Sequence, residues 1–181
     1  MNFSAGSPAT DNQPLYYVEP TGEQGHQVTS LIKRCPPLDT NSAYCNLLQC
    51  HHFSSTSCAV ITARNELVGF VSGYLIPDKE PDTLFIWQVA VDTSIRGQGI
   101  GQKMILNILS RKICRHTRFL ETTVTEANTA SEALFSKLAS TLRSPEIEKS
   151  MLFDKQKHFL GLHDSEVLYR IGPFSQPTST L

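Results

Sequence analysis

Residues 83–109 read Thr83-Leu-Phe-Ile-Trp-Gln-Val-Ala-Val91, then Asp92-Thr-Ser-Ile95, then Arg96-Gly-Gln-Gly-Ile-Gly101, then Gln102-Lys-Met-Ile-Leu-Asn-Ile-Leu109. The first nine residues are dense in β-branched and aromatic side chains and read as a strand. Gly97, Gly99 and Gly101 follow, and glycine lets a backbone turn tightly and approach a ligand with no Cβ in the way. Met104, Ile105, Ile108, Leu109 and Ile113 then keep the three-and-four spacing of a helix lying on a sheet, which predicts a helix from about Gly99 to Arg115. The free amides at the start of such a helix meet the positive end of its dipole, so phosphate oxygens are the natural guest. Arg96 and Lys103 add positive charge to the same turn.

Three ligand readings compete at this loop. A dinucleotide fingerprint needs G-x-G-x-x-G near a first strand, with an acidic residue about 20 positions on. Here the spacing is G-x-G-x-G, the loop follows three strands, and Glu121 falls inside a later strand rather than at its end. A nucleotide-triphosphate loop needs Gly-Lys followed by Ser or Thr, and Lys103 has no such neighbour. A coenzyme A pyrophosphate loop fits best; a tight turn without a ligand is the plain alternative.

Working outward, Leu15–Val18 is a short apolar stretch, and residues 28–35 fit a short helix stopped by Pro36 and Pro37. Asp39-Thr-Asn-Ser42 offers several caps for a second helix through about His52. Residues 58–63, 67–76 and 83–91 read as three strands, with turns at Asn65-Glu66 and across 77–82. A fourth strand spans 119–124, and a helix spans 126–139 with Ala130, Ala133, Leu134 and Leu138 on one side. Met151–Phe153 reads as a short strand, Gly161–Asp164 as a turn and Val167–Ile171 as a closing strand. Residues 1–14 look like a disordered arm, 15–174 like a single domain and 175–181 like a loose tail. Strands alternating with helices in this order imply a mixed sheet with helices on both faces.

Composition removes several function classes. The 181 residues carry 16 Lys plus Arg against 17 Asp plus Glu, a net charge of -1 that provides no general field for nucleic acid or anionic lipid. No segment is long and apolar enough to span a bilayer, and no leader is evident, so a cytoplasmic protein is expected. The five cysteines form no CxxC pair, and free thiols in a reducing compartment are the expectation. Cys45 and Cys50, with His51 and His52, are a weak zinc alternative; no metal is expected.

The pattern Arg96-Gly-Gln-Gly-Ile-Gly101 resembles the acetyl-CoA signature [QR]-x-x-G-x-[GA] of the GCN5-related N-acetyltransferases. A second motif, Asn128, Ser131, Leu134, Phe135 and Lys137, is similar to the N-x-x-A-x-x-L-Y-x-K run of the same superfamily. A narrower match covers nearly the whole chain beyond the arm. It is carried by Cys35-Pro-Pro-Leu-Asp-Thr-Asn-Ser-Ala-Tyr44, Val68-Gly-Phe-Val-Ser-Gly-Tyr74, Pro81-Asp-Thr83, Trp87-Gln-Val-Ala-Val91, Leu120-Glu-Thr-Thr123, His163-Asp164 and Arg170-Ile-Gly-Pro-Phe174. These segments resemble the L-2,4-diaminobutyric acid acetyltransferases of ectoine biosynthesis. The resemblance implies an α/β fold with a mixed, mostly antiparallel twisted sheet, helices on both faces, and a splayed strand pair that takes the cofactor. It implies acetyl-CoA as co-substrate, a small diamino acid as acceptor, direct attack in a ternary complex, and a homodimer.

Acetyl transfer to an amine requires a polarised thioester carbonyl, a deprotonated amine and a stabilised leaving thiolate. By resemblance, an amide among Val89, Ala90 and Val91 addresses the thioester oxygen. Arg96, Gly97, Gln98, Gly99, Ile100, Gly101 and Lys103 hold pyrophosphate, and Asn128 and Phe135 complete the cofactor site. The resemblance points to Asp39, Trp87, Glu121 and His163 as substrate contacts, with Glu121 also a candidate to relay the amine proton. The plain readings are a helix cap for Asp39, core packing for Trp87, a solvent-facing charge for Glu121 and a surface turn for His163. Strand alternation would set Trp87 on one side with Phe85 and Val89. Phe135 stands where many members of the superfamily have a tyrosine acid, so the thiolate is left to water, to the substrate ammonium or to another hydroxyl such as Tyr44. Other acceptor amines, or a non-catalytic acetyl-CoA-binding domain, are the alternatives.

Overall fold

A computed structural model describes residues 14–175. The expected arm and tail therefore lie, but for Pro14 and Ser175, outside the described residues. Seven strands form one sheet: β1 (Leu15–Val18), β2 (Cys58–Thr62), β3 (Leu67–Leu75), β4 (Thr83–Val91), β5 (Phe119–Val124), β6 (Ile147–Phe153) and β7 (Glu166–Ile171). Their order across the sheet is β1-β2-β3-β4-β5-β7-β6. β4 and β5 run parallel, joined by the crossover that a parallel pair requires, and the other neighbours are antiparallel. The expected α/β sheet is the one observed.

Among the described residues four α-helices cover it: α1 (Gly25–Lys33), α2 (Ala43–His52), α3 (Ile100–Leu109) and α4 (Thr129–Thr141). Met104, Ile105 and Ile108 of α3 and Phe135 and Leu138 of α4 share one core with Val71, Leu84 and Ile86 of the sheet. Val28, Leu31 and Ile32 of α1 and Cys50 of α2 form a second core on the opposite face with Ala59, Phe70 and Ala90. Burying side chains on both faces accounts for the near-continuous apolar run of β4, which a strand with one wet face would not show.

Several boundaries differ from the sequence reading for identifiable reasons. α3 stops at Leu109 rather than Arg115. There the Arg111 guanidinium reaches back to the carbonyls of Ser55 (3.1 Å) and Ser57 (2.6 Å) and to Asn107 (2.8 Å), and the chain tightens into a 3-10 turn. Cys114 is buried by that turn and Ile113 is left exposed, not on the apolar face. α4 begins at Thr129 because Asn128 caps it, its Oδ1 accepting from Ser131 N at 3.1 Å. Its buried face is Phe135, Leu138 and Ala139, while Ala130 and Ala133 are exposed. β6 is longer than Met151–Phe153; it is an edge strand exposed almost throughout, so it shows no alternation to read.

Candidate active site

β4 and β5 stay paired only from Thr83 against Phe119 to Ile86 against Thr122. Beyond that rung β4 runs on alongside β3 as far as Val91, and β5 turns away toward α4. Two devices mark the parting. The Thr122 hydroxyl donates to the Ile86 carbonyl at 3.0 Å, satisfying an acceptor at the last rung. At the same place β4 carries one residue more than β3, since Ser72 faces Gln88 while Gly73 faces Ile86. Trp87 is the extra residue, and a bulge of this kind reverses the sides to which later residues point. Ile86 accordingly packs in the core under α3, and Ala90 in the core under α1.

The bulge corrects the expected alternation. Trp87 does share a side with Phe85: both rings lie against Tyr74, with centroids at 6.5 and 5.3 Å. Val89 does not; it packs toward α3, with its Cγ1 beside Gly101. Backbone direction follows from the same pairing. Asp92 N donates to Val68 O at 2.8 Å, so alternation in the antiparallel pair turns Ala90 toward β3 and turns Val89 and Val91 into the opening. The Val91 carbonyl already accepts from Arg96 Nε (3.0 Å) and Cys35 Sγ (3.4 Å). Of the three expected residues, Ala90 is thus turned away, and Val89 presents its amide where the strands part.

The glycine loop borders this opening. Gly97 and Gly99 have φ of +78° and +72°, a left-handed backbone that side chains disfavour, and a Cβ on either would meet nothing within 4 Å. Their role is therefore conformation and open approach rather than internal packing. Gly99 caps α3 with no side-chain partner, and the first helical bond is Lys103 N to Gly99 O at 3.0 Å. The amides of Ile100, Gly101 and Gln102 are thus the donors a helix start leaves over. This donor set fits a pyrophosphate. Gly101 has another role: a Cβ there would sit 3.3 Å from Val89 and 3.4 Å from Leu134, so its absence lets α3 approach β4 and α4. Ile100 is buried, so only its backbone is available, whereas Arg96, Gln98 and Lys103 are exposed.

A cleft of about 550 Å³ runs from the parted strands to the segment before β7. It brings together Asp39, Trp87, Val89, Asn128, Phe135 and His163, which sequence spacing alone scatters over more than a hundred positions. Asp39 is not the cap of α2. Ser42 is, accepting from Cys45 N at 3.0 Å, while Asp39 Oδ1 accepts from Asn41 N at 3.3 Å. Trp87 is 46% exposed, so it forms a wall and not core. His163 lies over the Phe159 ring at 4.8 Å, with Nδ1 2.9 Å from Asp164 O. The Asp164 carboxylate is held below its usual range by its hydrogen bond and ion pair with Lys155, at 3.0 Å. Phe135 is almost fully buried and has no proton to give. Tyr44 is 69% exposed on α2 and does not line the cleft.

Glu121 is neither solvent-facing nor a lining residue. It is 3% exposed, one position before Thr122, and its Oε1 accepts from Lys79 Nζ at 2.6 Å and from Arg170. Arg170 also lies over the Phe119 ring at 3.8 Å. Tyr74 is close enough that burial and then the Glu121 charge raise its hydroxyl above the ordinary tyrosine range.

Sequence reading passed over Gln88, Asn41, Thr122 and Glu166, all of which line the cleft. Glu166 alone carried a signal, a charge at the head of an alternating strand. All five cysteines are thiols, and burial pushes Cys50, Cys58 and Cys114 up to about 11, away from nucleophile chemistry. Among the described residues no cluster of three or more His, Cys, Asp or Glu is placed to hold a metal.

Residues 26–139 match the acetyltransferase (GNAT) family. The chain is 51% identical to the L-2,4-diaminobutyric acid acetyltransferase of Methylotuvimicrobium alcaliphilum over 156 residues, 86% of this chain and 89% of that one. It is 46% identical to the enzyme of the same name from Vibrio parahaemolyticus, covering 84% and 83% of the two chains. The structure is similar to that of a diaminobutyrate acetyltransferase from Paenibacillus lautus in complex with L-2,4-diaminobutyric acid and coenzyme A, with a TM-score of 0.81, 33% identity, and 93% and 100% coverage. The fold alone is shared with the NatC complex bound to Gag peptide and CoA, at TM-score 0.69 and 15% identity.

Replacing Gly99 by valine puts a branched side chain on the ligand face of a left-handed residue. Calorimetry should show coenzyme A binding weakened by about tenfold or more, the equivalent of one or two lost hydrogen bonds of about 1–3 kcal/mol. A folded Gly99→Val protein, judged by its melting curve, that binds coenzyme A like the parent would remove the loop from the site.

Proposed function

The chain belongs to the GNAT acetyltransferase family and, within it, to the L-2,4-diaminobutyric acid acetyltransferases, and from that premise we propose how its cleft works. The enzyme transfers the acetyl group of acetyl-CoA to the 4-amino group of L-2,4-diaminobutyrate, giving N4-acetyl-L-2,4-diaminobutyrate for ectoine synthesis. The observation that carries the mechanism is the Val89 amide, facing the opening beside a helix start with unused donors.

Acetyl-CoA lies along the exposed edge of β4, its pyrophosphate on the amides of residues 97–102 and its thioester oxygen toward Val89. A single preorganised donor at a developing oxyanion is worth about 3 kcal/mol. The acceptor enters from the Asp39, Trp87 and His163 side. An ammonium has no lone pair, so the attacking amine must first lose a proton. Asp39 and Glu166 are carboxylates lining the cleft that receive ammonium groups, and Trp87 walls the site from water. Glu121 takes part by exchange: an incoming ammonium replaces that of Lys79, the more exposed of its two cationic partners. With Phe135 at the tyrosine position, the departing thiolate takes its proton from the substrate nitrogen, which becomes cationic on attack, or from water.

Assembly and location extend the proposal. β6 is an open edge strand with Met151, Leu152 and Phe153 exposed, and Leu160 is exposed in the segment that follows it. A bare edge and an adjoining apolar patch call for a cover, and a second copy related by a two-fold axis supplies it. Five thiols without a disulfide suit a reducing cytoplasm. No helix among the described residues is long and apolar enough to cross a membrane.

A panel of L-2,4-diaminobutyrate, its D-isomer, ornithine, lysine and putrescine, assayed with acetyl-CoA by thiol release, tests the reaction. The L-isomer should lead, putrescine should lose at least tenfold in kcat/KM for want of its α-groups, and NMR should place the acetyl group on N4. Putrescine ahead of diaminobutyrate, or acetylation at N2, contradicts the substrate reading. In the same assay Glu121→Gln should raise KM for the amine; an unchanged KM removes Glu121 from the binding site. Sedimentation at micromolar concentration should give about 40 kDa, twice the 20.1 kDa chain, and a clean monomer refutes the dimer.

A further inference from the structure

The loop between α1 and α2 brings Asp39 to the cleft on a polar segment that belongs to no strand or helix. Its position is fixed from β4. Gln88 follows Trp87 in the bulge and is only 8% exposed. Its Nε2 donates to the Asp39 carbonyl at 2.7 Å, and its Oε1 accepts from Asn41 Nδ2 at 3.1 Å. Asn41, with φ of +50°, gives its backbone N–H to Asp39 Oδ1 at 3.3 Å. The three residues therefore close a ring in which one side-chain amide governs both the backbone and the carboxylate orientation of Asp39.

The residue type and the bulge are both required. A glutamine amide offers donors at one end and an acceptor at the other; glutamate accepts only, and methionine has no donor and only a weakly accepting sulfur. In a regular strand residue 88 would share the side of Ile86 and lie under α3. The extra residue at Trp87 turns it to the α1–α2 loop instead. Next door on the same bulge, Trp87 walls the cleft, so a single irregularity of β4 sets two of its surfaces.

We propose that Gln88 is a positioning residue for the acceptor amine: it holds the Asp39 carboxylate at the angle that receives an ammonium group, and it has no contact with the thioester. This rests on the reading of Asp39 as a substrate contact given above. Binding selectivity for the amine should therefore depend on an amide two residues beyond the last paired rung of β4.

The test is a double-mutant cycle with Gln88→Met, Asp39→Asn and the double variant, together with Gln88→Glu. Initial rates are measured against each substrate in turn. Gln88→Met should raise KM for diaminobutyrate by about tenfold while KM for acetyl-CoA moves by less than about twofold. Gln88→Glu keeps the shape, loses the donor, and should follow it; if the methionine variant fails to fold, the glutamate variant takes its place in the cycle. The double variant should be no worse than Asp39→Asn alone, because Gln88 acts through Asp39. Trp87 is the sole tryptophan of the chain, so quenching of its emission gives the amine dissociation constant independently. Effects of the two substitutions that multiply, or both KM values rising together, would overturn the proposal. A wild-type enzyme that ignores diaminobutyrate refutes the functional reading before any variant is made. Turnover by wild type with an unaltered Asp39→Asn leaves that reading standing and overturns this one.

Discussion

Everything at this site depends on two parallel strands that stop pairing halfway. A strand that loses its neighbour exposes a row of backbone donors and acceptors, which the interior of a protein ordinarily does not tolerate. Here β4 keeps β3 on one side throughout, so it remains anchored while its other edge lies open. The Thr122 hydroxyl at the last rung, the Arg96 and Cys35 bonds to the Val91 carbonyl, and the uncapped start of α3 all lie around that edge. What remains exposed is a strand edge and a helix terminus within reach of one extended ligand. A thioester arm with a pyrophosphate behind it has that shape and those acceptors.

The closed half of the strand pair is held differently. Glu121 and Arg170 face one another across β5 and β7, and Lys79 comes from the β3–β4 turn to the same carboxylate oxygen. A buried carboxylate is costly unless paired and hydrogen-bonded, and removing a partner from such a cluster is far more damaging than the cluster is stabilising. Its place beside the junction ties three separate segments together where the sheet is about to open. If an incoming ammonium exchanges with Lys79 as proposed, it meets a carboxylate already shaped for ammonium.

Much of the fold was legible because the strongest signals are local. The apolar run of β4, the glycine turn and the periodicity of α3 sit within a stretch of under thirty residues, and none of them needs tertiary knowledge. Ser42 and Asn128 follow ordinary capping chemistry, although the sequence could not choose Ser42 over Asp39. The bulge at Trp87 was not legible, since nothing in Phe85-Ile-Trp-Gln-Val89 departs from strand composition. Without it, Val89 is put on the wrong side and Gln88 is not read as a cleft residue. Glu121 was noticed as a charge among apolar neighbours, but its partners lie 42 and 49 positions away. Only the last three residues of β6 were legible, for the opposite reason: exposed on both faces, the strand carries no pattern.

Amide hydrogen exchange of the wild-type protein, resolved by NMR with and without coenzyme A, examines the open strand edge directly. The amides of Val89 and Val91 should slow markedly when the ligand is added, with those of residues 99–101, while Ala90, already bonded to β3, should not change. Protection that appears elsewhere and leaves Val89 and the glycine loop exchanging as before would contradict the account.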